Sequence, residues 1–202
     1  MRRRGDLLRD DFALLVGRVF DLANRGGAVG WDDGAEAVAA LTPEAGNDRS
    51  VLLAALERDV QPKQAVAGII AFGQFQRFAG IGDTRALDSA RAASARHGWP
   101  ELEAQCLFWR GLVGFQRSDD DGARARFEEA LPLYRRVGAT LGEANCIRSL
   151  GEIALARSDH DGARRRFEEA LPLHRCQFAS NRDPPFASNN DPPGAAEVGL
   201  ST

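Results

Sequence analysis

One stretch of this chain is written twice. DGARARFEEALPLYR runs from Asp121 to Arg135, and DGARRRFEEALPLHR runs from Asp161 to Arg175, 40 residues later. When 117–135 is laid on 157–175, 16 of 19 positions are identical, and only 120, 125 and 134 differ from 160, 165 and 174. A near-copy at a fixed offset is the signature of a repeat architecture. Each unit there is a supersecondary element that buries its apolar face on its neighbours. A chain of 202 residues has room for one ordinary domain or a short array.

The residues within a unit predict two helices. Ala123, Phe127, Ala130, Leu131 and Tyr134 fall on one stripe of a 3.6-residue period, with Arg124, Arg126, Glu128 and Glu129 off it. Ala163, Phe167, Ala170 and Leu171 repeat the stripe. Asp119 or Asp121 is placed to cap the second helix, where a side-chain oxygen accepts from orphan amides. The first helix of the last unit is expected over Thr140–Ala156. Thr140 and Glu143 have capping-box spacing, and Gly138 suits a left-handed close of the preceding helix. On that helix Ala144, Ile147, Leu150, Gly151 and Ala154 make one face, and Asn145, Arg148, Glu152 and Leu155 make another.

Earlier segments keep the same beat. Pro62 and Pro100 suit first helical positions, and Gly82-Asp83 opens a helix that carries Ala86, Ala90 and Ala93. Expected helix starts near 62, 83, 100, 120, 141 and 160 are spaced by about half a repeat. Residues 1–61 form a less regular helical segment with helices over Leu7–Ala23 and Val51–Val60, and Asp32-Asp33-Gly34-Ala35 faintly echoes the unit. The array spans 62–176. From Gln177 to Thr202 the tandem octapeptides FASNRDPP and FASNNDPP offer nothing to bury, and a disordered low-complexity tail is expected there.

Composition narrows the function. With 26 Lys and Arg against 29 Asp and Glu the formal net charge is −3, so bulk electrostatics do not make this a nucleic-acid binder. Cys106, Cys146 and Cys176 form no CxxC pair; Cys106 and Cys146 are repeat-equivalent and read as small buried apolar residues. The histidines have no zinc spacing, so no metal and no cofactor is expected. The arginines after Met1 are not followed by an apolar region of the secretory type, and no run of apolar residues is long enough to span a bilayer. A soluble cytoplasmic protein without a membrane partner follows. Phosphate-binding, dinucleotide-binding, serine-hydrolase and HExxH signatures are all lacking. The pairs Glu128-Glu129 and Glu168-Glu169 sit among arginines on a polar face, where nothing desolvates them for acid–base work. No catalytic residue is expected.

The spacing of Leu150-Gly151, Ala154, Ala163, Phe167 and Ala170, matched one unit earlier by Gly111, Ala123, Phe127 and Ala130, resembles the tetratricopeptide repeat family. The closest likeness is to the 40-residue variant of bacterial arrays and kinesin-light-chain-like scaffolds. Arg110 departs from it, standing where the pattern has Leu, and Pro132 and Pro172 fall early. The resemblance implies an all-α fold, a right-handed α-solenoid of antiparallel helix pairs whose first helices line a concave groove. It further implies a non-catalytic scaffold that binds a protein, peptide or partner helix. Carried over position by position, the groove residues are Gln105, Phe108, Leu112 and Phe115, then Asn145, Arg148, Glu152 and Leu155. Two other readings remain open: a regulatory or sensor fragment of a larger bacterial signalling ATPase or transcriptional regulator, and a truncated remnant of a longer array. The last repeat has no capping helix in the sequence pattern, and self-association through it is expected.

Overall fold

The computed structural model describes residues 12–21, 45–79 and 84–180, and all of its regular structure there is helical. The helices are α1 (12–21), α2 (Ala45–Glu57), α3 (Pro62–Ala79), α4 (Arg85–His97), α5 (Pro100–Gln116), α6 (Asp120–Val137), α7 (Thr140–Ala156) and α8 (His160–Ser180). The beat read from the sequence holds at 62, 100, 120 and 160, and α4 begins at Arg85 behind Thr84. Two expectations change. The helix expected over Val51–Val60 begins earlier, at Ala45, and ends before Asp59, whose positive φ of 53° breaks it. Helix α8 runs four residues past Cys176, to Ser180, into the segment expected to be tail. The helix expected over Leu7–Ala23 is described only over 12–21, and the motif at 32–35 and residues 181–202 lie outside the described residues.

The turns repeat as faithfully as the helices. Asp119 Oδ1 accepts from the Gly122 amide at 3.0 Å, and Asp159 Oδ1 accepts from the Gly162 amide at 2.8 Å. These caps settle the choice between Asp119 and Asp121. Helices α4 and α6 close on Gly98 (φ 69°) and Gly138 (φ 70°), whose amides donate three residues back while those of Trp99 and Ala139 donate five residues back. This double bond to the last carbonyls is the Schellman close. Helices α5 and α7 close in the same pattern on Ser118 (φ 61°) and Ser158 (φ 63°). The expected capping box at Thr140 does not form. The Glu143 amide already donates to Ala139 O at 3.0 Å, so α7 starts one residue early and Ala139 holds the cap position. Glu143 accepts from Arg135 Nε at 2.7 Å instead.

Pro132 and Pro172 lie inside continuous helices on exposed positions. Each lacks an amide for the carbonyl four residues earlier. Glu128 and Glu168, four residues earlier, are exposed, so the carbonyl is open to solvent and its lost bond costs less.

Packing is antiparallel within pairs and sequential along the chain. The most extensive helix contacts are α5 with α6 and α7 with α8. Between units, the first helices α3, α5 and α7 touch one another in turn, while the second helices α4, α6 and α8 have no comparable contact. A stack whose members touch on one side and splay on the other curves toward the touching side, so α5 and α7 line the inside. Val16, Leu52, Ile69 and Leu87 anchor one apolar cluster in α1–α4, which Cys106 of α5 joins. Leu107, Phe127, Tyr134, Cys146 and Leu150 anchor a second in α5–α7. Cys106 and Cys146 are 1% and 0% exposed.

Candidate functional site

The residues expected to form a groove lie on α5 and α7, and the structure sorts them into two groups. Gln105, Asn145, Arg148 and Glu152 are half-buried, accessible yet held by the surrounding helices. Leu155 is 50% exposed at the end of α7. Phe115 is half-buried against the second apolar cluster. Phe108 and Leu112 are different: at 8% and 4% exposure they belong to that cluster. The Phe108 ring lies 5.7 Å from that of Phe127 and meets Trp109 edge-on at 5.6 Å. They are therefore core residues and offer a partner no apolar strip, a correction to the groove read from the sequence. The reason is that α5 is apolar on more than one side, because it packs on α3, α4, α6 and α7 together.

What remains accessible among these residues is mostly polar, with Leu155 and part of Phe115 as its apolar ends. Asn145 and Gln105 are repeat-equivalent amides, and an amide both donates and accepts. Arg148 donates through Nη1 to Glu152 Oε1 one turn along α7, and both side chains are about one-third exposed at 38% and 35%. An exposed pair of this kind is worth little on its own. A partner carboxylate is able to take the guanidinium from Glu152 at small cost.

A second feature sits at the end of the array. Phe127 is fully buried, while its copy Phe167 is 36% exposed, and Leu171 and Leu155 are each 50% exposed. Leu155, Ala163, Phe167 and Leu171 line an open apolar depression of about 410 Å³. The difference is positional: α7 covers Phe127 from the next unit, and no described helix follows α8. Leu141, 44% exposed in the first turn of α7, was not singled out in the sequence because Glu101 stands at its repeat position.

Ion pairs on the outer side tie the units together. Arg135 reaches Glu143 at 2.7 Å and Glu169 at 3.4 Å, linking α6 to α7 and α8. Arg157 Nη2 donates to Asp121 at 2.7 Å and holds that carboxyl below its usual range. Burial, followed by the charge of Glu103, pushes the Cys106 thiol up to about 12, and burial does the same to Cys146. Such thiols are poor nucleophiles at neutral pH. Among the described residues no group of three or more His, Cys, Asp or Glu is placed to hold a metal ion, and no helix is long and apolar enough to cross a membrane.

Residues 103–175 match the family model of the tetratricopeptide repeat. No curated protein and no solved structure matches the chain.

Proposed function

Since residues 103–175 are a tetratricopeptide repeat segment, of a family whose members mediate protein–protein interaction and are generally non-catalytic, we propose that this chain is a scaffold that binds a peptide or partner helix on the inner face of α5 and α7. The observation that carries this reading is the set of half-buried polar residues Gln105, Asn145, Arg148 and Glu152 on helices that touch along the array. The two amides hold an extended backbone without reading its side chains. Arg148 supplies a planar fork for a carboxylate of the partner. The apolar part of the contact comes from Leu155 and Phe115 at the ends of α7 and α5. The protein works in the cytoplasm without cofactor or metal, and its C-terminal apolar face, Leu155, Phe167 and Leu171, is the surface for self-association.

Affinity capture with the full chain as bait tests this reading. The Asn145→Ala/Arg148→Ala double variant is run beside it, and the retained proteins are compared by quantitative mass spectrometry. A partner held by the wild type and lost by the folded double variant is the expected result. A partner set identical for both removes the inner face as the binding surface.

A further inference from the structure

The outer side of the array carries two clefts at repeat-equivalent places. One, of about 150 Å³, opens where the start of α4, the end of α5 and the start of α6 meet. The other, of about 370 Å³, opens between α6, the end of α7 and α8. Arg117 and Arg126 line the first, and their equivalents at the 40-residue offset, Arg157 and Arg166, line the second. Val113 in one and Ile153 in the other are buried and give each cleft an apolar floor. On α7 the residues 150, 153, 154 and 157 face the cleft, whereas 145, 148, 152 and 155 carry the inner face. At about 100° per residue the two sets lie on opposite sides of the helix.

The clefts are more basic than the repeat requires. Arg110 lines the first where the next unit has Leu150, and Arg165 lines the second where the preceding unit has Ala125. Each departure adds a cation. The first cleft is lined by three arginines and one acid, Asp119, while Asp88 and Glu129 pair with Arg110 and Arg126 from its edge. The second is lined by four arginines and by Glu128, Asp159 and Glu169, with Asp121 on Arg157 from outside it, in a chain of formal charge −3. The acids are already engaged: Asp119 and Asp159 cap helices, Glu128 accepts from Arg124 at 2.8 Å, and Glu169 accepts from Arg166 at 3.3 Å. Arg165 makes no ion pair with a described residue. Arg110 is half-buried, and burial together with the positive charge of Arg126 lowers its pKa even though Asp88 pairs with it. Arg126 also pairs with Glu129 at 2.9 Å and Arg157 with Asp121 at 2.7 Å, but a guanidinium carries five N–H donors, so both clefts keep spare donors above an apolar floor.

We propose that this outer row is a second docking surface, independent of the inner face, and that its occupant is an extended acidic protein segment whose separated Asp or Glu side chains enter the two clefts. A guanidinium fork matches a carboxylate in shape and charge. The apolar floors suit the methylene stem of a Glu side chain better than a free anion. Nucleic acid fits less well, because its phosphates are closely and evenly spaced and the second cleft also holds Glu128 and Glu169. The proposal does not depend on the groove reading, since it uses neither Asn145 nor Arg148.

The test uses the full chain and a fluorescein-labelled peptide of glutamates separated by Gly-Ser spacers, with affinity read by fluorescence anisotropy at low and physiological salt. Arg110→Leu and Arg165→Ala place in each cleft the residue that the other unit already carries there, so the fold tolerates them, and a thermal melt checks this. The double variant is expected to bind the peptide at least about tenfold more weakly, about 1.4 kcal/mol. Arg110→Lys/Arg165→Lys keeps much of the affinity, and Asn145→Ala/Arg148→Ala, which removes the inner-face fork, loses less than Arg110→Leu/Arg165→Ala does. No binding by the wild type, wild-type affinity in the Arg110→Leu/Arg165→Ala variant, or a loss confined to the Asn145→Ala/Arg148→Ala variant overturns the proposal. Tighter binding of inorganic polyphosphate of matched charge than of the peptide also overturns it, and assigns the clefts to phosphate.

Discussion

The ring of Phe127 lies against Gly111: a Cβ built on that glycine would stand 2.6 Å from Phe127 Cε1 and 2.9 Å from Cζ. This contact locks α6 onto α5, and it recurs one unit later, where a Cβ on Gly151 would stand 2.8 Å from Phe167 Cε1. The two copies are not equal, because Phe127 is 0% exposed and Phe167 is 36% exposed. A ring walled in on every side has nowhere to go, whereas a half-open ring swings away. Gly111→Ala therefore costs the overpacking of a closed core, about 1–3 kcal/mol, less up to about 1 kcal/mol returned by helix propensity. For Gly151→Ala the same return offsets most of the strain, and the net loss stays below about 1 kcal/mol. Urea melts of both variants check the ordering; equal losses would show that the exposed ring is as confined as the buried one.

Truncating the rings themselves separates the copies further. Phe127→Ala leaves a cavity in the closed second cluster and costs about 3–5 kcal/mol. Phe167→Ala removes a ring that already meets water and has no helix above it, and costs about 1 kcal/mol. In a short array the first loss is enough to unfold the segment, since stability is a sum over few units and interfaces. Chemical denaturation of the two variants side by side reads the difference directly.

Much of this was legible in the sequence, for a physical reason. The offset of 40 fixes the period, and Phe127, Ala123 and Ala130 fix the buried stripe of α6, because one helix with one apolar face leaves little choice. Pro100, Gly98 and Gly138 mark their turns through backbone chemistry alone. Helix α5 was harder. Phe108 and Leu112 look like a strip on a groove only if α5 has one packed side, yet it is enclosed by four helices. The left-handed Ser118 and Ser158 carry no glycine to announce them. The outer clefts were hidden because arginines at helix spacing read as a solvated face until the splay between second helices is known.

Those serines give a stabilising prediction. A non-glycine residue in the left-handed region costs about 1–2 kcal/mol, and glycine loses about 0.5–1 kcal/mol of backbone entropy in exchange. Ser118→Gly and Ser158→Gly are each expected to raise stability by about 0.5–1 kcal/mol, the difference of those two terms. The denaturation midpoint should rise with an unchanged slope against denaturant.

The buried thiols give a pH prediction. Cys106 and Cys146 are raised from an ordinary 9.0 to about 12 in the folded chain. An acid whose folded pKa lies above its unfolded one gives the folded state more bound protons between the two values, so stability falls as pH rises through that window. Full stability is present below pH 9, and the loss by pH 12 approaches on the order of 4 kcal/mol per thiol as a ceiling. Burial also raises the Tyr134 phenol, which adds to the same alkaline loss. Melts between pH 8 and pH 11 should show a steep decline that Cys106→Ala/Cys146→Ala makes shallower. At neutral pH only Cys176, exposed on α8, should react promptly with Ellman's reagent; fast reaction of all three thiols would contradict the packing of both clusters.

The central claim is that a partner seats on the polar inner face of α5 and α7. Isothermal titration of the captured partner against the wild-type chain and against Asn145→Ala/Arg148→Ala tests it most directly, with thermal melts of both proteins alongside. The account predicts at least a tenfold weaker Kd for the double variant, about 1.4 kcal/mol, at an unchanged melting temperature. An unchanged Kd in a double variant that melts like the wild type would contradict it and move the binding surface off α5 and α7.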